Sequence, residues 1–89
     1  MELDEAWVRN FGEQLDKVYA WPALYTFKFI VKSGKEAEVQ KLFPRHTNST
    51  KSSKNGKYTS LTFQMMMPSS EAVVSVYKLA ASIDGLIAL

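Results

Sequence analysis

The sequence predicts an α+β fold: a four-stranded antiparallel sheet with two helices on one face, preceded by one further helix. Three observations carry this. Residues 24–32 and 57–67 alternate apolar and polar side chains with a period of two, as half-buried strands do. Each of these stretches is followed by one of helical periodicity. Between the polar run 46–54 and the apolar run after it stands Asn55-Gly56, two residues that tolerate the positive φ of a tight type I′ hairpin. Size and composition agree. The chain of 89 residues has room for one domain, and 46% hydrophobic against 22% charged residues is the balance of a globular chain.

Taken in order, residues 4–19 place Trp7, Val8, Phe11, Leu15, Val18 and Tyr19 on one helical stripe. Asp4 reads as the N-cap, with Leu3 and Val8 as a hydrophobic staple around it. Gly12 interrupts the polar side and weakens the helix by about 1 kcal/mol relative to alanine. Pro22 ends the stretch and biases Trp21 toward an extended conformation. In the first strand Tyr25, Phe27, Phe29 and Val31 share one face, and Thr26, Lys28, Ile30 and Lys32 share the other. The sheet is therefore covered on one side only. Ser33 reads as the cap of a short helix, with Glu36 answering it in a capping box. Val39, Leu42 and Phe43 form its buried stripe, and Pro44 stops it. Residues 46–54 suit a loop or an edge strand, whose lysines discourage pairing with a second chain. In 57–67, Leu61, Phe63, Met65 and Met67 face the core, while Tyr58, Ser60, Thr62, Gln64 and Met66 face away. Pro68-Ser69 ends that strand and caps a helix striped by Val73, Val76, Tyr77 and Ala80, with Ile83 a turn further on. Asp84-Gly85 is a turn, and Leu86–Leu89 is a last short strand.

This order is the split βαβ, or ferredoxin-like, βαββαβ arrangement. It divides the chain into an N-terminal amphipathic helix, 1–20, and a domain, 21–89. The two aromatic-rich strands belong in the middle of the sheet, and the polar and the C-terminal strands at its edges. The first helix has an apolar stripe to cover. It lies either over the open sheet face or beside the other helices.

Several classes are excluded or disfavoured. With no cysteine there is no disulfide framework, thiol nucleophile or cysteine-based metal site. No apolar run approaches the ~20 residues of a spanning helix. The acidic start Met1-Glu2-Leu3-Asp4-Glu5 is unlike a signal peptide, so the expectation is a cytoplasmic protein with no membrane partner. A net charge of +2 is too small to argue for nucleic acid. The single histidine, His46, sits in a polar run beside no nucleophile. Glu36 and Glu38 point to different sides of their helix, and Asp4, Glu5, Glu13 and Asp16 belong to the polar side of the first helix. No phosphate loop, dinucleotide fingerprint or nucleophile elbow occurs. The expectation is a protein that is not an enzyme, with no catalytic residues, metal or cofactor.

Trp21-Pro22-Ala23-Leu24-Tyr25-Thr26-Phe27-Lys28, Ser52-Ser53-Lys54-Asn55-Gly56-Lys57-Tyr58-Thr59-Ser60, Glu71-Ala72-Val73, Tyr77-Lys78-Leu79 and Ile83-Asp84-Gly85 resemble the YbeD-like family of small bacterial proteins of unknown function. The likeness covers roughly the last three quarters of the chain. It implies a ferredoxin-like fold similar to the ACT regulatory domains, and a role in regulating lipoate or amino-acid metabolism has been proposed for the family. The long first helix and Lys32, where relatives often have proline, depart from the pattern.

Two candidate sites follow. Ser33-Gly34-Lys35 opens a helix N-terminus, where backbone N–H groups and the lysine favour an anion, and ACT-like domains use this loop for ligands. The plainer alternative is that Ser33 caps and Gly34 eases a turn. The open sheet face is the second site, with Lys28, Ile30, Tyr58, Ser60 and Met66 as a partner surface. The function expected is a regulatory or binding module for a small metabolite or a client enzyme. RNA-recognition domains stack bases on such a face, yet only Tyr58 fits their pattern, since Ser60 takes the second stacking position. Nucleic acid is therefore the disfavoured alternative. A purely structural homodimer, through an edge strand or through Ile30 and Met66, is the third.

Overall fold

The computed structural model describes residues 4–89, so Leu3 of the expected staple lies outside the described residues. The elements run α1 (Glu5–Val18), β1 (Ala23–Lys32), α2 (Glu36–Leu42), β2 (Ser49–Ser52), β3 (Tyr58–Met67), α3 (Ser70–Ala80) and β4 (Ile87–Ala88). The four strands form one sheet in the order β2-β3-β1-β4, and every neighbouring pair is antiparallel. The aromatic-rich strands β1 and β3 stand in the middle and pair without a break from Ala23↔Met67 to Lys32↔Tyr58.

The period-two pattern decides which face is buried. Phe27, Phe29, Val31, Leu61 and Phe63 lose essentially all contact with solvent, and Met65 and Met67 are buried beside them. Helical side chains close over this face. Tyr77 of α3 meets both Phe27 and Phe29 edge-on, and Phe43, just beyond α2, stacks on Phe29 at 6.0 Å between centroids. The Asp4 carboxylate caps α1 by accepting from the Trp7 N–H at 2.7 Å, and Ser69 caps α3 through the Ala72 N–H at 3.2 Å.

The first helix does not cover the open sheet face. It packs along α3, where Phe11 meets Tyr77 edge-on at 5.5 Å and Leu15 is buried in the common core. Gly12 faces α3 without crowding it: a Cβ built there would stand 3.9 Å from the Ser70 hydroxyl, an ordinary van der Waals distance. Beyond the helix, Tyr19 stacks on Trp21, and Trp21 donates its indole N–H to Asp16 at 2.9 Å.

Three local expectations are corrected. Ser33 does not cap α2. Its hydroxyl bonds the Thr59 hydroxyl at 2.9 Å and its N–H reaches Lys57, so it extends the β1–β3 ladder. The cap position is Lys35, which makes no side-chain capping bond, and the helix begins at Glu36. The Asn55-Gly56 reversal is not type I′, because Gly56 alone of the pair has positive φ. The Gly56 N–H closes a turn onto the Ser53 carbonyl, and the Asn55 side chain accepts from the Lys57 N–H and the Ser53 hydroxyl. That side-chain turn supplies the reversal that a left-handed Asn55 would otherwise give. Finally, β2 is confined to Ser49–Ser52 rather than filling 46–54, and β4 to Ile87–Ala88 rather than Leu86–Leu89. Leu86 is instead buried in the core.

Candidate functional site

With the helices gathered on the core side, the other face of the sheet carries no helix packing. Its residues are set by register. Lys51, Ser60, Ile30 and Ile87 stand opposite one another and form a single row across all four strands. The next rows place Lys28 beside Thr62 and Lys32 beside Tyr58. Around the central row lies a shallow depression of about 390 Å³. Of the expected partner residues it unites Lys28, Ile30, Tyr58 and Ser60, and it adds Lys51, Ser52, Ser53 and Ile87. Met66 is on the same face, 66% exposed, but beside Leu24 at the far end of the sheet.

The face is amphipathic. Ile30 and Ile87 form its apolar floor, Tyr58 is 42% exposed at one side, and Lys28 and Lys51 flank them. Ser60 donates to the Lys51 carbonyl at 3.3 Å, and Ser53 Oγ accepts from the Tyr58 N–H at 3.1 Å. These serines therefore brace the rim. Charge on the sheet has one sign: the four strands contain Lys28, Lys32 and Lys51 and no carboxylate. The balance of eleven basic and nine acidic residues conceals this, because five of the acids lie in residues 2–16.

The 33–35 loop is differently placed. Gly34 takes φ 106, a conformation that favours glycine. Its N–H donates to the Glu36 carboxylate, Ser33 holds Thr59, and Lys35 Nζ donates to the Asp84 carbonyl at 3.3 Å. All three groups invoked for an anion thus have partners inside the chain, and Glu36 supplies the negative charge at that N–H itself. A separate cleft of about 360 Å³ between α1 and α3 carries both signs, Arg9 and Lys78 against Glu13, Asp16 and Glu71, so it has no clear charge preference.

The match to known families spans most of this architecture. Residues 13–88 match the family described as "Protein of unknown function (DUF493)". The chain belongs to the DUF493 family. No curated protein and no solved structure matches it. The DUF493 match begins inside α1 and runs through β4, so it includes every residue of the depression. Among the described residues of this DUF493 chain, no group of three His, Asp or Glu side chains is placed to share a metal ion, and no helix is long and apolar enough to cross a membrane. His46 lines a hollow with Pro44, Met65 and Met67, and no acidic side chain lines it.

The residues that sequence reasoning missed are Lys51, Ser52, Ser53 and Ile87. A signal for Lys51 existed. A reversal centred on Asn55-Gly56 pairs residues whose numbers sum to a constant, and that register sets Lys51 opposite Ser60, as observed. Ile87 had no such signal, because β4 is two residues long and no tight turn joins it to β1 to fix its register.

Proposed function

We propose that this DUF493 chain is a ferredoxin-like, ACT-like binding module that works without catalysis, and that its open sheet face docks an acidic, partly apolar segment of a client protein. One observation carries the reading: a face with an isoleucine floor whose only charged side chains are lysines, on a sheet without a carboxylate. Such a surface attracts carboxylates and repels other cations, so it selects its partner by charge and holds it by the apolar floor. The order β2-β3-β1-β4 supports the ferredoxin-like assignment. The resemblance to the YbeD-like family supports a regulatory role. Docking regulates a client only through unequal affinity for two of its states.

The test is fluorescence anisotropy with a labelled peptide alternating leucine and glutamate. Binding is expected to weaken at least about tenfold between 0.05 and 0.3 M salt, as the Debye length contracts to a few ångström. The double variant Lys28→Glu, Lys51→Glu is expected to weaken it by a further factor of about ten or more, or about 1.4 kcal/mol. Peptide binding that ignores both changes refutes the reading. Tighter binding of single-stranded poly-uridine, lost on Tyr58→Ala, would replace it with the nucleic-acid alternative. Amide shifts confined to Ser33, Gly34 and Lys35 on adding free amino acids or phosphate would replace it with the metabolite alternative.

A further inference from the structure

The docking reading leaves open how the partner's backbone sits, and the edge of β1 bears on that. This strand runs from Ala23 to Lys32, yet β4 pairs only with its Phe29 and Ile30. Leu89 adds one bond, its N–H donating to the Lys28 carbonyl at 3.0 Å. The Lys28 main chain therefore points away from β3. Main-chain groups alternate along a strand, so Thr26 and Leu24 point their N–H and C=O groups to that same outer side. The odd positions point the other way, as the Ser33 N–H does in reaching Lys57 across the β3 side. Among the described residues, no strand pairs with Ala23–Phe27 on the outer side.

Natural sheets blunt such an edge with charge, proline or a bulge. At the opposite border β2 carries Lys51. The half-edge Ala23-Leu24-Tyr25-Thr26-Phe27 has no charge, no proline and an unbroken register with β3. It is also rich in residues that favour strands.

We propose that an extended acidic segment of the client protein adds to this half-edge as a further strand of the sheet. This rests on the docking reading above and specifies its geometry. Main-chain bonds to Leu24 and Thr26 would supply attachment, and side chains would supply selection. The added strand's open-face side chains stand opposite Leu24 and Thr26 and diagonal to Lys28, within reach of a long side chain. Leu24, 55% exposed, and Met66 beside it give an apolar seat. Lys28 then meets a carboxylate. A second copy of this chain fits less well, because it would set one lysine-only face next to another.

The experiment is NMR-detected hydrogen exchange on the full chain, with a capped peptide alternating valine and glutamate as the probe. At saturation the Leu24 and Thr26 amides are expected to exchange at least about tenfold more slowly. The Tyr25 and Phe27 amides, directed at β3, should not change. Thr26→Pro removes only an outward N–H and blocks approach from that side, which an edge position tolerates. It is expected to keep the wild-type spectrum and to bind the peptide at least about tenfold more weakly. Saturable binding that shifts Lys28, Ile30, Lys51 and Tyr58 but leaves the Leu24 and Thr26 exchange rates alone overturns the strand geometry and spares the docking reading. No binding at all overturns both. Protection of Leu24 and Thr26 without peptide, lost on dilution as the mass halves, overturns the proposal in favour of a second copy. If Thr26→Pro does not fold, the wild-type exchange rates decide alone.

Discussion

Tyr77 is where the core and the titration chemistry of this chain meet. Its ring touches Phe11, Tyr25, Phe27 and Phe29, and its hydroxyl lies 3.1 Å from that of Tyr25. Burial first, and the bond to Tyr25 second, hold its phenol well above the usual tyrosine range. The consequence has a definite sign. Below pH about 10 the residue is neutral in both the folded and unfolded chains, and its contribution is fully present. Above that pH the unfolded chain releases a proton that the folded chain keeps. Stability then falls, by up to about 1.4 kcal/mol per pH unit from this group. Urea titrations at pH 8 and above pH 10 check this. The variant Tyr77→Phe is expected to lose about 1 kcal/mol at pH 8, where one hydrogen bond is gone, and to show a shallower decline at high pH. An unchanged alkaline slope would assign the decline to other groups.

At the scale of elements, α1 is a helix whose stability comes from its docking rather than its own sequence. Gly12 sits in its middle at a cost of about 1 kcal/mol, and the nearest atom to a Cβ there is in ordinary contact at 3.9 Å. Gly12→Ala is therefore expected to stabilise the protein by about 0.5–1 kcal/mol. Leu15→Ala, which empties a buried site in the same helix, should cost about 2–4 kcal/mol. Chemical denaturation of the two variants measures both, and a destabilising Gly12→Ala would refute the view that this glycine costs α1 only helix propensity. The same helix marks where the sequence stops being informative. Its stripe and its cap were legible, because both depend on residues a few positions apart. Its resting place was not, because a stripe of Trp7, Phe11 and Leu15 fits any apolar surface. The strands were legible for the opposite reason: alternation assigns each side chain to a face, and it alone groups Lys28, Ile30, Tyr58 and Ser60. The errors fell where a distant group competes with a local one. Ser33 looked like a cap until Thr59, twenty-six positions away, took its hydroxyl. Asn55 looked like a left-handed turn residue until its own side chain closed the loop instead.

At the scale of the whole molecule, the question is whether residues 1–20 and 21–89 are two folding units or one. Leu15 belongs to the same buried cluster as Phe27, Phe63 and Tyr77, and Phe11 packs directly against it. A chain of this size has a small core to begin with, and uncovering Tyr77 would expose part of it. Separation of α1 should therefore carry a large share of the total stability, and unfolding should be all-or-none. The two tryptophans make this measurable. Trp7 stacks on Phe11 within α1, and Trp21 is tied to Asp16 at its end, so the fluorescence of both reports on α1 docking. Far-UV circular dichroism reports on the sheet and the other helices as well. The expected outcome is one urea midpoint by both probes and no change in apparent m-value between them. A fluorescence transition that precedes the dichroism would mean that α1 detaches while the sheet survives. The Phe11–Tyr77 contact would then be an accessory to the fold, and the side of α3 that α1 covers a second surface open to partners.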